Sequence, residues 1–555
     1  MLPDAAIRAH WGEEAVVPGI RRAGALSAIT ALLLSIIAAP ASIALANAPS
    51  AAGVVNAAAP GQPLSPSMRG VSRVPHSLAI RASAALTAPA TIQVSTADGH
   101  HSDLLANFDG VGSKDSKVTN FDAQFEPPDQ GLCVGNGFVV EMVNSAFRIF
   151  DMKGHTLAGP TNINQPFQDG FAQFTSDPRC VYDRSTNTWF AVILFLADDF
   201  LSSRLEIAFN TSGDPTTPWS VFKIDTTNSK GAHCPCFGDQ PTLGMDASNL
   251  YVTTNEFNII GPPFFFNGAQ IYAVDKRDLV SHEEKVHFVQ FRNLTIGGDQ
   301  AFSVQPAMTY GSSSAEYFLS SLDLNGVGDH RVGVWALTNV SAVGSGRRPT
   351  LSSFILNSEA YSPPPPAIQK GSSSTLDTGD DRMQQTQFID GEIWGAMDTQ
   401  VMPAGDTMPR AGAAWFRVKP HLVGSRIRGA TMAAQGYVLS EGQYVMYPAI
   451  QADGEGHAAM VFTLTGSARF ASAAYAVLSD EGESFGRPKI AAAGSGPYDP
   501  VATRWGDYSW ALLDTASHSV WMATEYMPPL ASQSPFRNWG TRVIELSLDD
   551  QQQQQ

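Results

Sequence analysis

Charge is scarce in this 555-residue chain. Asp, Glu, Lys and Arg make up only 16% of it, and acids outnumber bases by 52 to 35, for a net charge of −17. A phosphate backbone is gripped through a Lys/Arg surface, so this balance excludes nucleic acid as a partner. Long apolar runs are also missing. The best one, Ala23 to Ala39, is shorter than the roughly 20 residues that span a bilayer and ends at Pro40, which argues against a stable membrane span. No nucleophile elbow, phosphate loop, zinc-protease helix motif or dinucleotide fingerprint occurs, and the Ser, His and Asp residues are too scattered to place a hydrolytic triad. What is plentiful is turn chemistry: 48 Gly and 36 Pro stand beside 43% hydrophobic residues, which suits many short strands joined by turns.

The first residues read as an address. Arg21-Arg22 precede the apolar run, and Ala44-Leu45-Ala46 fits an A-x-A cleavage site. Residues 1–48 are therefore expected to be a signal peptide, and the protein to be secreted, extracellular or periplasmic. Residues 49–101, rich in Ala, Pro and Ser, are expected to form a flexible linker, and residues 549–555 a polar tail.

From residue 129 onward a unit recurs. Its openings are Asp129-Gln130-Gly131, Asp177-Pro178, Asp239-Gln240-Pro241, Gln305-Pro306, Gln384-Gln385, Tyr447-Pro448 and Asp507-Tyr508, spaced 48 to 79 residues apart. In the second unit Cys180 to Tyr182, Trp189 to Phe195, Leu205 to Phe209 and Trp219 to Ile224 supply four strands separated by turn residues. Repetition at this period predicts an all-β, seven-bladed β-propeller of four-stranded antiparallel blades over residues 102–548. The last unit stops one strand short. Asp103 to Phe108 has the length to pair with that exposed edge and close the ring.

Four cysteines allow two disulfides. Cys133 and Cys180 occupy matching places in adjacent units and are expected to bridge. Cys234-Pro235-Cys236 reads as a structural or redox disulfide in preference to a metal site with His233.

If the openings enter the inner strands, Asp129, Asp177, Asp239, Gln305, Gln384, Tyr447 and Asp507 ring one mouth of the channel as substrate-binding candidates. Asn144, Asn255, Glu256, Asp323, Asp398, Glu525 and Tyr526, at the ends of the second strands, lie near the same face, with Tyr526 a further binding candidate. Converging carboxylates suit general acid–base chemistry or oxygen ligation of Ca2+. The plainer reading is that such residues satisfy loop backbone groups. Glu256 and Glu525 each end a strongly β-prone strand, where partial burial would raise a carboxyl into the range of an acid catalyst, and form the catalytic pair expected from sequence. Phe264-Phe265-Phe266 offers an aromatic platform for a sugar ring, or packs on a neighbouring blade.

Ser479-Asp480-Glu481-Gly482-Glu483-Ser484-Phe485 resembles the Asp-box of sialidase-like propellers, and Ser212-Gly213-Asp214-Pro215 followed by Trp219 resembles a looser copy. In that superfamily the box is a structural turn, so the resemblance implies fold and not an active site. Pro127-Pro128-Asp129-Gln130-Gly131-Leu132-Cys133 and Cys236-Phe237-Gly238-Asp239-Gln240-Pro241 are also similar to segments of uncharacterised exported bacterial propeller proteins, which imply no activity. Together these readings lead to an exported protein that binds extracellular glycans or hydrolyses them as a glycoside hydrolase through Glu256 and Glu525. The rival is a cell-surface binding or adhesion module whose propeller is stabilised by calcium.

Overall fold

The computed structural model describes residues 91–120, 125–199, 201–231, 233–259, 265–498, 504–529 and 538–548, together with the strand at 53–57. All lie in one compact unit, Pro40–Gln555. The expected signal peptide, polar tail and Phe264 fall outside the described residues.

Nearly everything is β. Strands β1 (Gly53–Ala57), β2 (Thr91–Ile92) and β3 (Asp103–Gly112) lead into helix α1 (Ser113–Thr119). A first meander follows as β4 (Gly131–Gly135), β5 (Phe138–Met142), β6 (Ala146–Asp151) and β7 (Thr156–Asn162). The second is β8 (Phe174–Asp183), β9 (Thr188–Leu196), β10 (Ser203–Asn210) and β11 (Ser220–Asp225). Then come β12 (Cys236–Met245), β13 (Asn249–Asn258), β14 (Phe266–Asp275), helix α2 (Lys276–Val280) and β15 (Phe288–Arg292). After the small hairpin β16 (Thr295–Ile296) and β17 (Asp299–Gln300) the chain forms β18 (Gln305–Thr309), β19 (Ala315–Ser320), β20 (Asp329–Thr338) and β21 (Thr350–Tyr361). Strands β22 (Met383–Ile389), β23 (Glu392–Pro403), β24 (Arg410–Val423) and β25 (Arg426–Val438) make the next meander. Another is β26 (Gln443–Ala452), β27 (Ala458–Gly466), β28 (Arg469–Val477) and β29 (Lys489–Ala492). The last strands are β30 (Trp510–Asp514), β31 (Ser519–Tyr526) and β32 (Gly540–Ser547).

The expected closing strand is present. Strand β3 pairs antiparallel with β32, from Asp103 against Ser547 to Gly112 against Gly540, so N- and C-terminal segments complete one four-stranded sheet. Four such sheets stand alone; three further meanders are joined through parallel pairing of β18 with β12 and β22. The first strands touch in the order β4, β8, β12, β18, β22, β26, β30 and back to β4. Two segments of the expected linker are docked: β1 adds to the edge of β15, and β2 pairs with β23.

Local sequence explains the meanders. Asn136-Gly137 and Asp390-Gly391 are two-residue hairpin loops with positive φ at both positions, which Asn, Asp and Gly tolerate best. Strand β9, Thr-Trp-Phe-Ala-Val-Ile-Leu-Phe-Leu, is buried at every residue because each face packs on a different neighbour. Trp189, Ala191 and Ile193 join the first meander's core, while Phe190 and Val192 join the third meander's. Continuous apolar strands follow from that two-sided burial.

The Cys133–Cys180 disulfide lies in the core between the first two meanders, with both cysteines fully buried. It closes a separation of 47 residues, for which chain entropy sets a stabilisation of about 4 kcal/mol. Replacing both cysteines with Ser should lower Tm by several degrees in a calorimetric scan. A chain starting at residue 113 lacks β3, and should lose its single cooperative unfolding transition, whereas one starting at residue 97 should keep it.

Candidate functional site

Asp129 and Asp507 precede β4 and β30 in loops, as expected, but four other openings do not. Asp177, Asp239, Gln384 and Tyr447 lie inside β8, β12, β22 and β26, at places where the pairing register with the second strand shifts. Each shift is a bulge that re-aims a side chain. Asp177, Gln240 and Tyr447 at these bulges, and Asp129 and Ser303 in the loops ahead of β4 and β18, adopt φ between 44° and 60°, left-handed backbone that a Tyr or Gln enters only under constraint.

The constraint comes from the neighbouring meander. Asn144, just after β5, accepts the Asp177 amide through Oδ1 at 2.7 Å. Asn255 in β13 accepts the Ser303 amide at 3.0 Å, and Asp398 in β23 accepts the Tyr447 amide at 2.7 Å. Asp177 takes the Gln240 amide at 3.1 Å, and Asp129 of the first meander takes the Asp507 amide of the last at 2.7 Å. The second-strand residues Asn144, Asn255 and Asp398 are therefore inter-sheet staples, which is the plainer sequence reading made specific.

The same geometry gathers charge. Asp129, Asp177, Asp239 and Asp507 are buried and act on one another electrostatically. Burial, then repulsion from Asp177, pushes Asp239 up to about 8. Burial raises Asp507 to about 6, held from going further by Arg504, whose Nη2 donates to both of its carboxylate oxygens. Burial, then Asp507 and Asp177, puts Asp129 well above the ordinary carboxylate range, and burial also raises Asp177.

Three buried arginines share this centre. Arg382 pairs with Asp380 through Nη2 at 2.5 Å and also donates to the Gln240 side chain. Arg504 pairs with Asp507 and lies 3.4 Å from Asp377. Arg179 is fully buried, and among the described residues none of its three guanidinium nitrogens has a hydrogen-bond partner. It stacks 3.0 Å from the ring centre of Tyr508 and 4.9 Å from that of Trp510. Sequence reasoning missed all three. The available signal was position: Arg179 follows Asp177 by two residues, Arg382 precedes Gln384 by two, and Arg504 precedes Asp507 by three.

Side chains also bridge first strands that are not neighbours in the ring. Gln385 donates to the Ala511 carbonyl at 2.5 Å and accepts its amide at 3.1 Å, and the Tyr310 hydroxyl accepts the Leu513 amide at 3.0 Å.

The other candidates are distributed differently. Tyr447 is buried and feels Asp507, and Gln384 donates to Asp398 at 3.4 Å. Gln305 is buried opposite Leu319. The Tyr526 hydroxyl turns toward Asp109 of β3. Glu525 accepts the Gly506 amide at 2.6 Å; burial holds its carboxyl well above the usual range, with Asp129, Glu126 and Asp507 adding repulsion. Glu256 is raised to about 7 by burial, and its neighbours are Gln270, Asn228 and Arg292, none of which acts on Glu525. Phe265 stacks on His233 and Phe266 packs against Phe257 and Phe302.

A Ca2+ site needs several ionised oxygens free to converge. Here Arg504 takes both oxygens of Asp507, and backbone amides take oxygens of Asp129 and Asp177, so the donor set left to converge does not fit calcium. Among the described residues, one group has carboxylate and sulfur atoms all within 4.8 Å of one another, Cys234, Cys236 and Glu256, and its sulfurs are joined in a disulfide.

Raised carboxyls make stability depend on pH. Asp239 and Asp507 bind protons more tightly folded than unfolded, so their contribution is complete below the unfolded carboxyl range and is lost as pH rises through about 6 and about 8. Tm should fall between about pH 5 and about pH 8.5, and Asp239→Asn should flatten the upper part of that fall.

No family model matches the chain, and no curated protein does. Solved structures that it resembles include a Dyadobacter fermentans protein of unknown function, at 11% identity over 80% of this chain and 99% of that one, with a TM-score of 0.29. A Penicillium chrysogenum α-L-arabinanase complexed with arabinobiose aligns at 9% identity over 80% and 98%, TM-score 0.32. Trypanosoma rangeli sialidase aligns at 10% identity over 76% and 58%, TM-score 0.32.

Proposed function

We propose that this chain is an exported seven-bladed β-propeller that acts on extracellular glycans at the centre of its ring, as a glycoside hydrolase. The observation that carries the reading is geometric: Asp129, Asp177, Asp239 and Asp507, drawn from four meanders, are buried about one centre with Arg504 paired to Asp507. There burial and mutual repulsion raise the carboxyls unequally, Asp239 to about 8 and Asp507 to about 6. A glycosidic bond is broken by one carboxylic acid and one carboxylate, and environments that separate two carboxyl pKa values assign those roles. Asp239 is the proton donor to the leaving oxygen. Asp507, paired with Arg504, is the ionised partner, and Asp129 and Asp177 face the same substrate.

Glu525, one of the two carboxylates favoured by sequence, holds the turn that carries Asp507 by accepting the Gly506 amide. Glu256 stands in the separate group with Asn228, Gln270 and Arg292 and is given no role in this reaction.

A second reading, a glycan-binding module without catalysis, is favoured by one observation: Asp129, Asp177, Asp239 and Asp507 are each no more than 9% exposed. Both readings are tested by incubating the protein with arabinan, galactan, xylan and sialylated glycoprotein and following released fragments by mass spectrometry. Hydrolysis should follow a bell-shaped pH profile with limbs near 6 and 8, and Asp239→Asn or Asp507→Asn should cost roughly 100-fold or more in kcat/KM. Saturable glycan binding with no product would support the module instead.

A further inference from the structure

Two disulfides in one chain, built on opposite principles, point to a second chemistry. Cys133–Cys180 spans 47 residues within a dry core, whereas Cys234–Cys236 joins residues only two apart. Closing so short a loop removes almost no freedom from the unfolded chain, so the bridge contributes little to stability. Its surroundings suit reaction. Cys234 lies in the loop before β12 and is partly exposed, while Cys236 is fully buried in the first position of that strand. The Asn267 amide donates to Cys236 Sγ at 3.0 Å and lies 3.6 Å from Cys234 Sγ. A carboxyl oxygen of Glu256 lies within 4.8 Å of both sulfurs.

We propose that Cys234–Cys236 is a thiol–disulfide exchange site that oxidises a peptide dithiol, with Glu256 as its proton donor. A substrate thiolate attacks the accessible Cys234 Sγ. A mixed disulfide forms, the Cys234–Cys236 bond breaks, and its electron pair leaves on Cys236 as a thiolate. The Asn267 N–H stabilises that anion, and the Glu256 carboxylic acid protonates it. Burial holds this carboxyl at about 7, so it is largely protonated in mildly acidic solution and can exchange its proton near neutrality. The substrate's second thiol, losing its proton to Glu256, attacks the substrate sulfur of the mixed disulfide, and Cys234 leaves with the electron pair. Two electrons pass from the dithiol to the protein, one dithiol per chain, leaving Cys234 and Cys236 reduced and the substrate bridged.

The test uses the folded protein. After brief exposure to dithiothreitol and quenching with iodoacetamide, peptide mass spectrometry should show Cys234 and Cys236 alkylated at least tenfold faster than Cys133 and Cys180. A synthetic peptide carrying two cysteines should become internally bridged in one-to-one stoichiometry. Divided by thiolate concentration, the rate of reduction should fall as pH rises through about 7 in the wild type and stay level in Glu256→Gln. Equal resistance of the two bridges, or a bis-cysteine peptide left reduced, would overturn the site. A wild-type rate per thiolate that does not vary with pH would overturn the role of Glu256, a measurement that stands even if the variant fails to fold.

Discussion

A backbone amide turned out of a strand by a bulge must find an acceptor, and in this protein the neighbouring sheet supplies it. Asp177 and Tyr447 present such amides from bulges in β8 and β26, Ser303 presents one from the loop before β18, all on left-handed backbone, and Asn144, Asn255 and Asp398 of the preceding sheets take them. Each contact fixes the angle at which one sheet meets the next. The Asp129 carboxylate closes the circuit by holding the Asp507 amide. Side chains serving as acceptors at such a place must be short and strongly accepting, which is why Asp and Asn recur there.

That requirement has an electrostatic consequence. Acceptors drawn from successive sheets converge at the centre of the ring, away from water, where like charges cannot all be ionised. Arg504 neutralises part of the cluster through its direct pair with Asp507, Arg382 acts on Asp507 and Asp239 through space while paired to Asp380, and Arg179 contributes charge stacked on Tyr508. The remainder is settled by protons, most clearly at Asp239. The amide acceptors Asp129 and Asp177 thus lie in one electrostatic group with Asp239 and Asp507, and crowding of the four sets a raised carboxyl beside an arginine-paired one, the raw material of acid–base chemistry. The Cys234–Cys236 group begins in the same strand as Asp239, and its carboxyl, Glu256, is shifted by burial in the same way.

Much of the fold was legible because it repeats. Strands such as Trp189 to Phe195 and Tyr251 to Thr254 are β-branched and aromatic over lengths that only a doubly covered sheet needs. The closing strand was legible from a deficit, one strand too few at the C-terminal end. Strand β25 escaped detection because its outer face is exposed and its Gly, Ala and Gln residues carry little β signal. The four central aspartates were legible as repeat openings. Their arginines were not, since a lone Arg near a turn carries no periodic mark, and the bulges were hidden because register is a property of the paired strand. The two Glu side chains that sequence joined lie in different hydrogen-bond groups, since neighbouring residues on a strand face opposite ways and Asn255 takes the direction toward Ser303.

The claim on which the account rests is that the buried centre keeps a carboxyl protonated at neutral pH. The most direct measurement is a titration of the aspartate side-chain carboxyl carbons by NMR in protein labelled at those positions. The account predicts an aspartate resonance that remains in the protonated range at pH 7, titrates near 8 and disappears in Asp239→Asn. If every aspartate carboxyl has titrated by about pH 5, as exposed carboxylates do, the centre holds no proton and the account is contradicted.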